Sequence, residues 1–438
     1  MSEYQKGSKK LINAWAFYDW ANSVYSLVIS TAIFPIYYNS VAGDLPTQDG
    51  KIEFLGTLWN SSSLLSYTIS FYMLIVAFIS PILSGIADYS GKKLSFLKFF
   101  CFLGSFSVIM LCFFDAENFW IGILFTILAG IGFWGSIVFY NAYLPEIAHP
   151  DQQDSVSAKG FMMGYIGSVL LLLVSLVLSL FPEIFGLKDA AVAAKVTFVL
   201  VGLWWIGFAQ ITYKRLSKLP TETKKITKSI LFNGFNELKG VLNQLQNHQQ
   251  LKYFLISFFF ISLATQTIIY MASLFGSDEL GLGQFELILT ILAVQIVAIA
   301  GALIFSKLSK KIGNLKALKA TIVIWCLVCF CAFLIHKEQE YVTYYFYGLG
   351  GLLGLVLGAI QSLARSTYSK LLPKTDDTAT YFSFYDVTEK IAIVCGTIIF
   401  GVLISLTGSM QWSVLSLGLS FVVAFLIINK IKKTKHVF

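Results

Sequence analysis

Apolar residues fall in long blocks, at about 13–38, 60–85, 94–114, 118–144, 157–181, 193–213, 251–275, 284–306, 317–335, 341–365, 380–406 and 412–429. Charged residues and turn formers bound each block. A helix needs ~20 mostly apolar residues to cross a bilayer at ~1.5 Å rise per residue. The pattern therefore predicts twelve membrane-spanning helices. The first block is too long for the apolar region of a cleaved signal peptide, and no small-residue cleavage site follows it. It is expected to be the first span.

Composition agrees with this reading. Of 438 residues, 56% are hydrophobic and 13% are charged. A soluble domain carries ~25% charged residues, so this chain lacks the charge to coat a soluble surface. Soluble enzymes, disordered scaffolds and nucleic-acid binders are excluded on that ground.

The net charge of +8 does not point to nucleic acid, because the basic residues follow the loops. With the N-terminus in the cytoplasm, 27 of the 32 Lys and Arg residues fall on the cytoplasmic side and 4 outside. Lys390 lies within a span. Cytoplasmic loops are enriched in Lys and Arg, so both termini are expected in the cytoplasm, at a bacterial inner (plasma) membrane.

The longest polar stretch, 214–250, separates six spans from six. Within it Leu231, Phe235, Leu238, Leu242 and Leu245 recur at helical spacing, opposite Asn233, Asn236, Lys239, Asn243 and Gln246. This predicts an amphipathic helix lying on the cytoplasmic surface. The halves echo each other. Ser84-Gly85-Ile86-Ala87 and Gly91 follow the second span, and Ser306-Lys307-Leu308-Ser309 and Gly313 follow the eighth. The fourth span ends Tyr140 to Leu144-Pro145, and the tenth ends Tyr368 to Leu372-Pro373. The expected organisation is a six-helix bundle at 1–213, a linker at 214–250 and a second six-helix bundle at 251–438. Two related halves around a midplane cavity describe a secondary transporter.

Ionisable side chains inside a membrane are costly, so those present are candidates for function. They are Asp19, Glu146, Arg365, Asp386, Glu389 and Lys390. Their positions along the spans put all six in the cytoplasmic third. That clustering favours an inner gate of ion pairs, made in one access state and broken in the other. The competing reading is a proton-coupling carboxylate. Glu389 and Lys390 point about 100° apart on a helix and are not expected to pair with each other. Near span centres lie Tyr25, Ser26, Trp134, Gln266, Tyr270 and Gln295. Gln266 and Tyr270 share one helix face, and Asp19, Asn22 and Ser26 share another. Hydroxyls, amides and aromatic rings suit a small polar solute.

Cys326 and Cys329 have the spacing of a redox or metal pair but lie in an apolar run, where they read as small apolar side chains. The four histidines fall in connectors, so no metal site and no cofactor is expected. The tenth span holds Gly348, Gly350, Gly351, Gly354 and Gly358, which predict close helix packing or flexing rather than a phosphate loop.

Ser84 to Lys93 resembles the loop signature of the major facilitator superfamily. Asp88, Gly91, Lys92 and Lys93 match it, while Ser84 and Tyr89 stand where the family has glycine and arginine. More specifically, Tyr18-Asp19-Trp20-Ala21-Asn22-Ser23, Phe34-Pro35, Tyr140 to Glu146, Gln361 to Ser366 and Phe382 to Tyr385 resemble the vacuole-effluxer-like branch. Its namesake is the autophagy-related vacuolar amino-acid exporter of fungi. The resemblance implies an all-α transporter with helices 1, 4, 7 and 10 around the cavity. It adds Tyr140, Asn141 and Gln361 to the cavity candidates and Asp88 to the gate. It implies amino acids as the first candidate solute. Lipid or lysolipid translocation is the alternative, and would need an apolar groove open sideways to the bilayer. A sugar or nucleoside carrier of the same fold is a further one. An enzyme is not expected, because the spans hold no histidine and no cluster of nucleophiles. The expected partners are a small polar solute, protons in the coupling reading and the bilayer, with the chain a monomer.

Overall fold

The computed structural model describes residues 5–45, 47–48, 51–59, 61–219, 239–241, 243–244, 248–407 and 409–431. Twelve helices in it are long and apolar enough to cross a membrane. They are α1 (Lys9–Gly43), α2 (Ser61–Ser90), α3 (Lys93–Met110), α4 (Phe119–Ala142), α5 (Gln153–Leu180), α6 (Ala190–Leu216), α7 (Gln249–Leu274), α8 (Gln284–Ile312), α9 (Asn314–Leu334), α10 (Val342–Leu371), α11 (Thr378–Thr407) and α12 (Met410–Ile428). Large apolar side chains face outward, as with Phe78 at 74% exposed and Leu426 at 61%. A water-soluble surface would bury them, whereas lipid is as apolar as they are.

Helix pairing repeats with a shift of six. In the first half α1 packs on α5 and α6, α4 on α2 and α3, and α3 on α6. In the second half α7 packs on α11 and α12, α10 on α8 and α9, and α9 on α12. The contacts between halves obey the same shift, since α11 packs on α2 and α4 while α5 packs on α8 and α10. The predicted internal duplication is thus a property of the packing. It reaches single residues: Gly91 between α2 and α3 has φ +66°, and Gly313 between α8 and α9 has φ +90°. Both tight turns need a left-handed residue, which glycine adopts without a Cβ clash.

Three features lie outside a uniform helical pattern. The middle of α1, Tyr25–Ile33, is π-helical. Such segments are rare and gather at functional sites. Between α1 and α2 runs an antiparallel meander, β1 (Thr47–Gln48), β2 (Lys51–Phe54) and β3 (Thr57–Trp59). Its second turn is Leu55-Gly56, both with positive φ, and Phe54 pairs with Thr57 across it. The fold is all-α apart from this meander. Strands of two to four residues are too short for alternation to reveal. The amphipathic helix expected around Leu231 to Leu245 lies largely outside the described residues. Within that stretch Val241 is buried, and Gln244 Oε1 accepts a hydrogen bond from Tyr381 OH at 2.9 Å.

The α10 glycines divide into two groups. A Cβ on Gly354 would lie 2.6 Å from the Val294 carbonyl oxygen of α8, and Gly350 would meet Thr290 Cγ2 at 2.7 Å. Gly358 abuts the Ala298 carbonyl, while Gly348 and Gly351 have open space around them. Close packing of α10 on α8 accounts for the first three.

Candidate functional site

A cavity of about 390 Å³ lies between the halves. This falls in the range of small-molecule sites, ~300–1,000 Å³. Asn22, Tyr25 and Ser26 line it from α1, Trp134 and Asn141 from α4, Gln266 and Tyr270 from α7, Gln295 from α8 and Gln361 from α10. Tyr140, expected on the wall, does not reach it. Its ring stacks on Trp15 at 4.3 Å and its hydroxyl donates to Asp19 Oδ2 at 2.7 Å. Tyr140 supports the wall from behind because its side of α4 packs on α1. Asn22 Nδ2 is buried and has no hydrogen-bond partner among the described residues.

At the cavity wall Asp19 of α1 and Arg365 of α10, in opposite halves, form an ion pair. Arg365 Nη1 stands 3.4 Å from Asp19 Oδ2 and 3.2 Å from Asn141 Oδ1. Its Nε and Nη2 donate to the Ser157 hydroxyl at 2.9 Å and carbonyl at 2.8 Å. Its guanidinium lies 4.2 Å from the Phe161 ring centroid and 5.0 Å from that of Trp15. Both charged groups are buried. Geometry of this kind is what a desolvated ion pair requires, with remaining protons on hydrogen bonds and ring faces. Gly160 makes the room, since a Cβ there would sit 2.9 Å from Arg365 Nη2.

Two further polar clusters tie the halves together. Asp88, at the end of α2, accepts from the backbone N–H groups of Ala379 at 3.2 Å and Thr380 at 2.7 Å, and from the Thr380 hydroxyl at 2.8 Å. These are orphan donors in the first turn of α11, where the helix dipole also favours an anion. Lys93 bridges Asp88 at 3.2 Å and Glu146 at 2.5 Å, and Thr378 Oγ1 donates to Glu146 at 2.7 Å. Asp88→Ala should therefore lower thermal stability in detergent by roughly 1–2 kcal/mol, the cost of a lost helix cap, and Asp88→Asn by less. Equal losses would show that Asp88 does not act through these N–H groups.

The second cluster was not foreseen from sequence. Asp154, in the first turn of α5, accepts from Ser309 Oγ at 2.8 Å and from Asn314 Nδ2, and pairs with Lys370 Nζ at 2.7 Å. It mirrors the Asp88 contact across the shift of six with the polarity reversed. Here the acid sits at the helix start and its donors at the α8–α9 turn. An acid in the first turn of a helix reads in sequence as an ordinary dipole partner, so only the internal repeat could have flagged it.

Position along the span alone puts the α11 charges in the cytoplasmic third with Asp19. Glu389 instead lines the cavity, and its Oε1 accepts from Gln266 Nε2 of α7 at 2.9 Å. Lys390 bonds Asp386 one helical turn back and lies 3.6 Å from the centroid of Trp134 on α4. Gln266 and Trp134 are mid-span residues, so this cluster sits deeper than the Asp19–Arg365 end. Lys390 also approaches Glu389 Oε2 at 3.7 Å. The sequence reading set that pair aside because Cβ directions diverge by about 100°, but a lysine side chain is long enough to bend back.

Comparison with known proteins bears on the whole chain. The family model described as "Vacuole effluxer Atg22 like" matches residues 7–436. An uncharacterized MFS-type transporter of Bacillus subtilis, YxiO, is 33% identical over 95% of this chain and 93% of its own length. Autophagy-related protein 22-1 of Penicillium rubens is 22% identical over 92% of this chain and 86% of its own. Among solved structures, the xylose symporter XylE has a TM-score of 0.71 at 13% identity, covering 98% of this chain and 96% of that one. The transporter FucP in its outward conformation has a TM-score of 0.69 at 12% identity, covering 97% and 98%. These structural likenesses show the twelve-helix fold.

Proposed function

Because this chain belongs to the vacuole effluxer Atg22-like family of major facilitator transporters, we propose that it moves a small polar solute across a membrane by alternating access. It is a multi-pass membrane transporter, not an enzyme. The finer reading rests on one observation: a cavity between two repeated halves whose largely apolar lining carries hydroxyls and amides, with ion pairs crossing between the halves at one end. In this reading the units 1–213 and 251–438 rock about the cavity, joined by 214–250. Asp19–Arg365, Asp88, Lys93–Glu146 and Asp154–Lys370 form in the state described here and break in the opposite one.

The asymmetry of Lys and Arg supports both termini, and hence the end with the ion pairs, in the cytoplasm. The Bacillus relative supports a bacterial plasma membrane. Amino acids are the first candidate solutes, by the family's resemblance. The buried Asn22 amide and the Gln266, Gln295 and Gln361 side chains support a polar solute over a lipid, since apolar tails leave such groups unpaired. A monomer suffices, because both halves of the cavity come from one chain.

The test is uptake into proteoliposomes with labelled amino acids, sugars, nucleosides and a lysolipid, under imposed proton and sodium gradients. Amino-acid movement is expected. If no small polar solute moves under any gradient, the reading fails.

A further inference from the structure

The charges around the cavity do not balance, and the imbalance has a location. Among the described lining residues the side chains that carry charge are Asp19, Arg365 and Glu389. Asp19 and Arg365 neutralise each other between the halves. Behind the wall, Asp386 and Lys390 form a second neutral pair, bonded one helical turn apart, with the ammonium seated over Trp134. Lys390 also forms an ion pair with Glu389 at 3.7 Å, a longer contact than its bond to Asp386. Gln266 gives Glu389 one hydrogen bond but no charge. Two carboxylates thus share one ammonium, so the cluster carries one net negative charge, and Glu389 is its member that faces the cavity from α11.

A carboxylate in excess of its counter-ions at membrane depth is costly unless a further cation joins it or it takes up a proton. The surroundings suit an organic ammonium. Trp134 and the stacked Phe258–Tyr385 pair, with centroids 4.0 Å apart, bring aromatic faces to the same cavity. Ring faces attract ammonium groups. The Tyr270 hydroxyl lies one turn from Gln266 on the same face of α7. The volume, about 390 Å³, admits far more than a bare ion.

We infer that Glu389 forms the subsite for a cationic amine on the transported solute, with Asp386–Lys390 as its fixed neutral backing, so that the cavity selects solutes of net charge +1 over zwitterions of the same shape. Arg365 is already paired with Asp19, so the cavity offers no free cation to a zwitterion's carboxylate. Hydroxyls and amides, including the unpartnered Asn22 Nδ2, receive the solute's remaining acceptors. This rests on the transport reading above and adds the charge of its solute.

L-lysine and L-norleucine differ chiefly in the terminal ammonium, as do 1-aminopentane and 1-pentanol. Isothermal titration of the purified wild-type chain should show each amine binding about tenfold tighter than its neutral counterpart. Glu389→Gln should collapse both ratios to near one while its melting temperature reports an intact fold. Glu389→Asp should keep the preference. Equal affinity for lysine and norleucine in the wild type would overturn the inference without any variant. So would a Glu389→Gln protein that keeps the full ratio. A cavity that moves neutral solutes in proteoliposomes with no preference for amines would sink this inference and leave the transport reading standing. The absence of all solute movement would overturn the transport reading, and the titration ratios would then decide only whether Glu389 binds an amine.

Discussion

Replacing Arg365 with alanine is expected to lower unfolding stability by about 3–5 kcal/mol and to abolish transport. The loss is large because the substitution strands a partner. Asp19 is buried, and after the change keeps, among the described residues, the Tyr140 hydroxyl at 2.7 Å. Its charge then lies in a low-dielectric interior with no cation beside it. The same substitution empties the space between Phe161 and Trp15 and removes the donors to the Ser157 hydroxyl and carbonyl. Asp19→Asn made in the Arg365→Ala background should recover part of the stability, since the stranded charge is gone. The recovery would appear in thermal or denaturant unfolding in detergent as a non-additive double-mutant cycle. Strict additivity would mean that the two groups do not interact, and the gate would then need another explanation. Transport should not recover in the double variant if the pair is a gate that must form in each cycle.

The second large effect is expected at Gly354. A Cβ there meets the Val294 carbonyl oxygen at 2.6 Å and Val294 Cα at 3.1 Å, both backbone atoms that cannot rotate aside. Gly354→Val should force α10 from α8, at a cost of about 1–3 kcal/mol or more for overpacking. Gly351, one turn earlier, has no atom within 4 Å of an added Cβ. Gly351→Ala should be neutral, or stabilising by up to ~1 kcal/mol through helix propensity. Melting temperatures of the two variants separate the cases. Equal effects at both positions would mean that α10 needs its glycines for bending, not for contact with α8.

The contrast between these two glycines shows where sequence reasoning stops. Gly348, Gly350, Gly351, Gly354 and Gly358 form one cluster in the chain, and close packing is the natural expectation for all of them. Which of them face α8 depends on the rotation of α10 about its axis. That rotation is set by the neighbours and not by the glycines. The three-stranded meander between α1 and α2 was illegible for a different reason, because its strands are too short to show a period.

The charged residues divide in the same way. Asp19, Glu146, Arg365, Asp386, Glu389 and Lys390 stand out in sequence because charge is rare in apolar spans, and Asp88 through its loop motif. Depth could be read only from helix numbering. That placed Asp19 and Arg365 at one end but put Glu389 and Lys390 too shallow. Asp154 and Lys370 escaped notice because each lies at a helix end, where a charge costs little and carries no signal.

Sequence alone determined the twelve spans and the six-plus-six repeat. Each follows from local cost: hydrocarbon rejects charge, and a helix must satisfy its own backbone. Only the tertiary structure decided which charge neutralises which. Arg365 meets Asp19 from 346 residues away, and Lys390 turns to Asp386 and Trp134, leaving Glu389 to face the cavity. Electrostatic pairing depends on separation in space and on what water is excluded, and neither quantity is written along the chain.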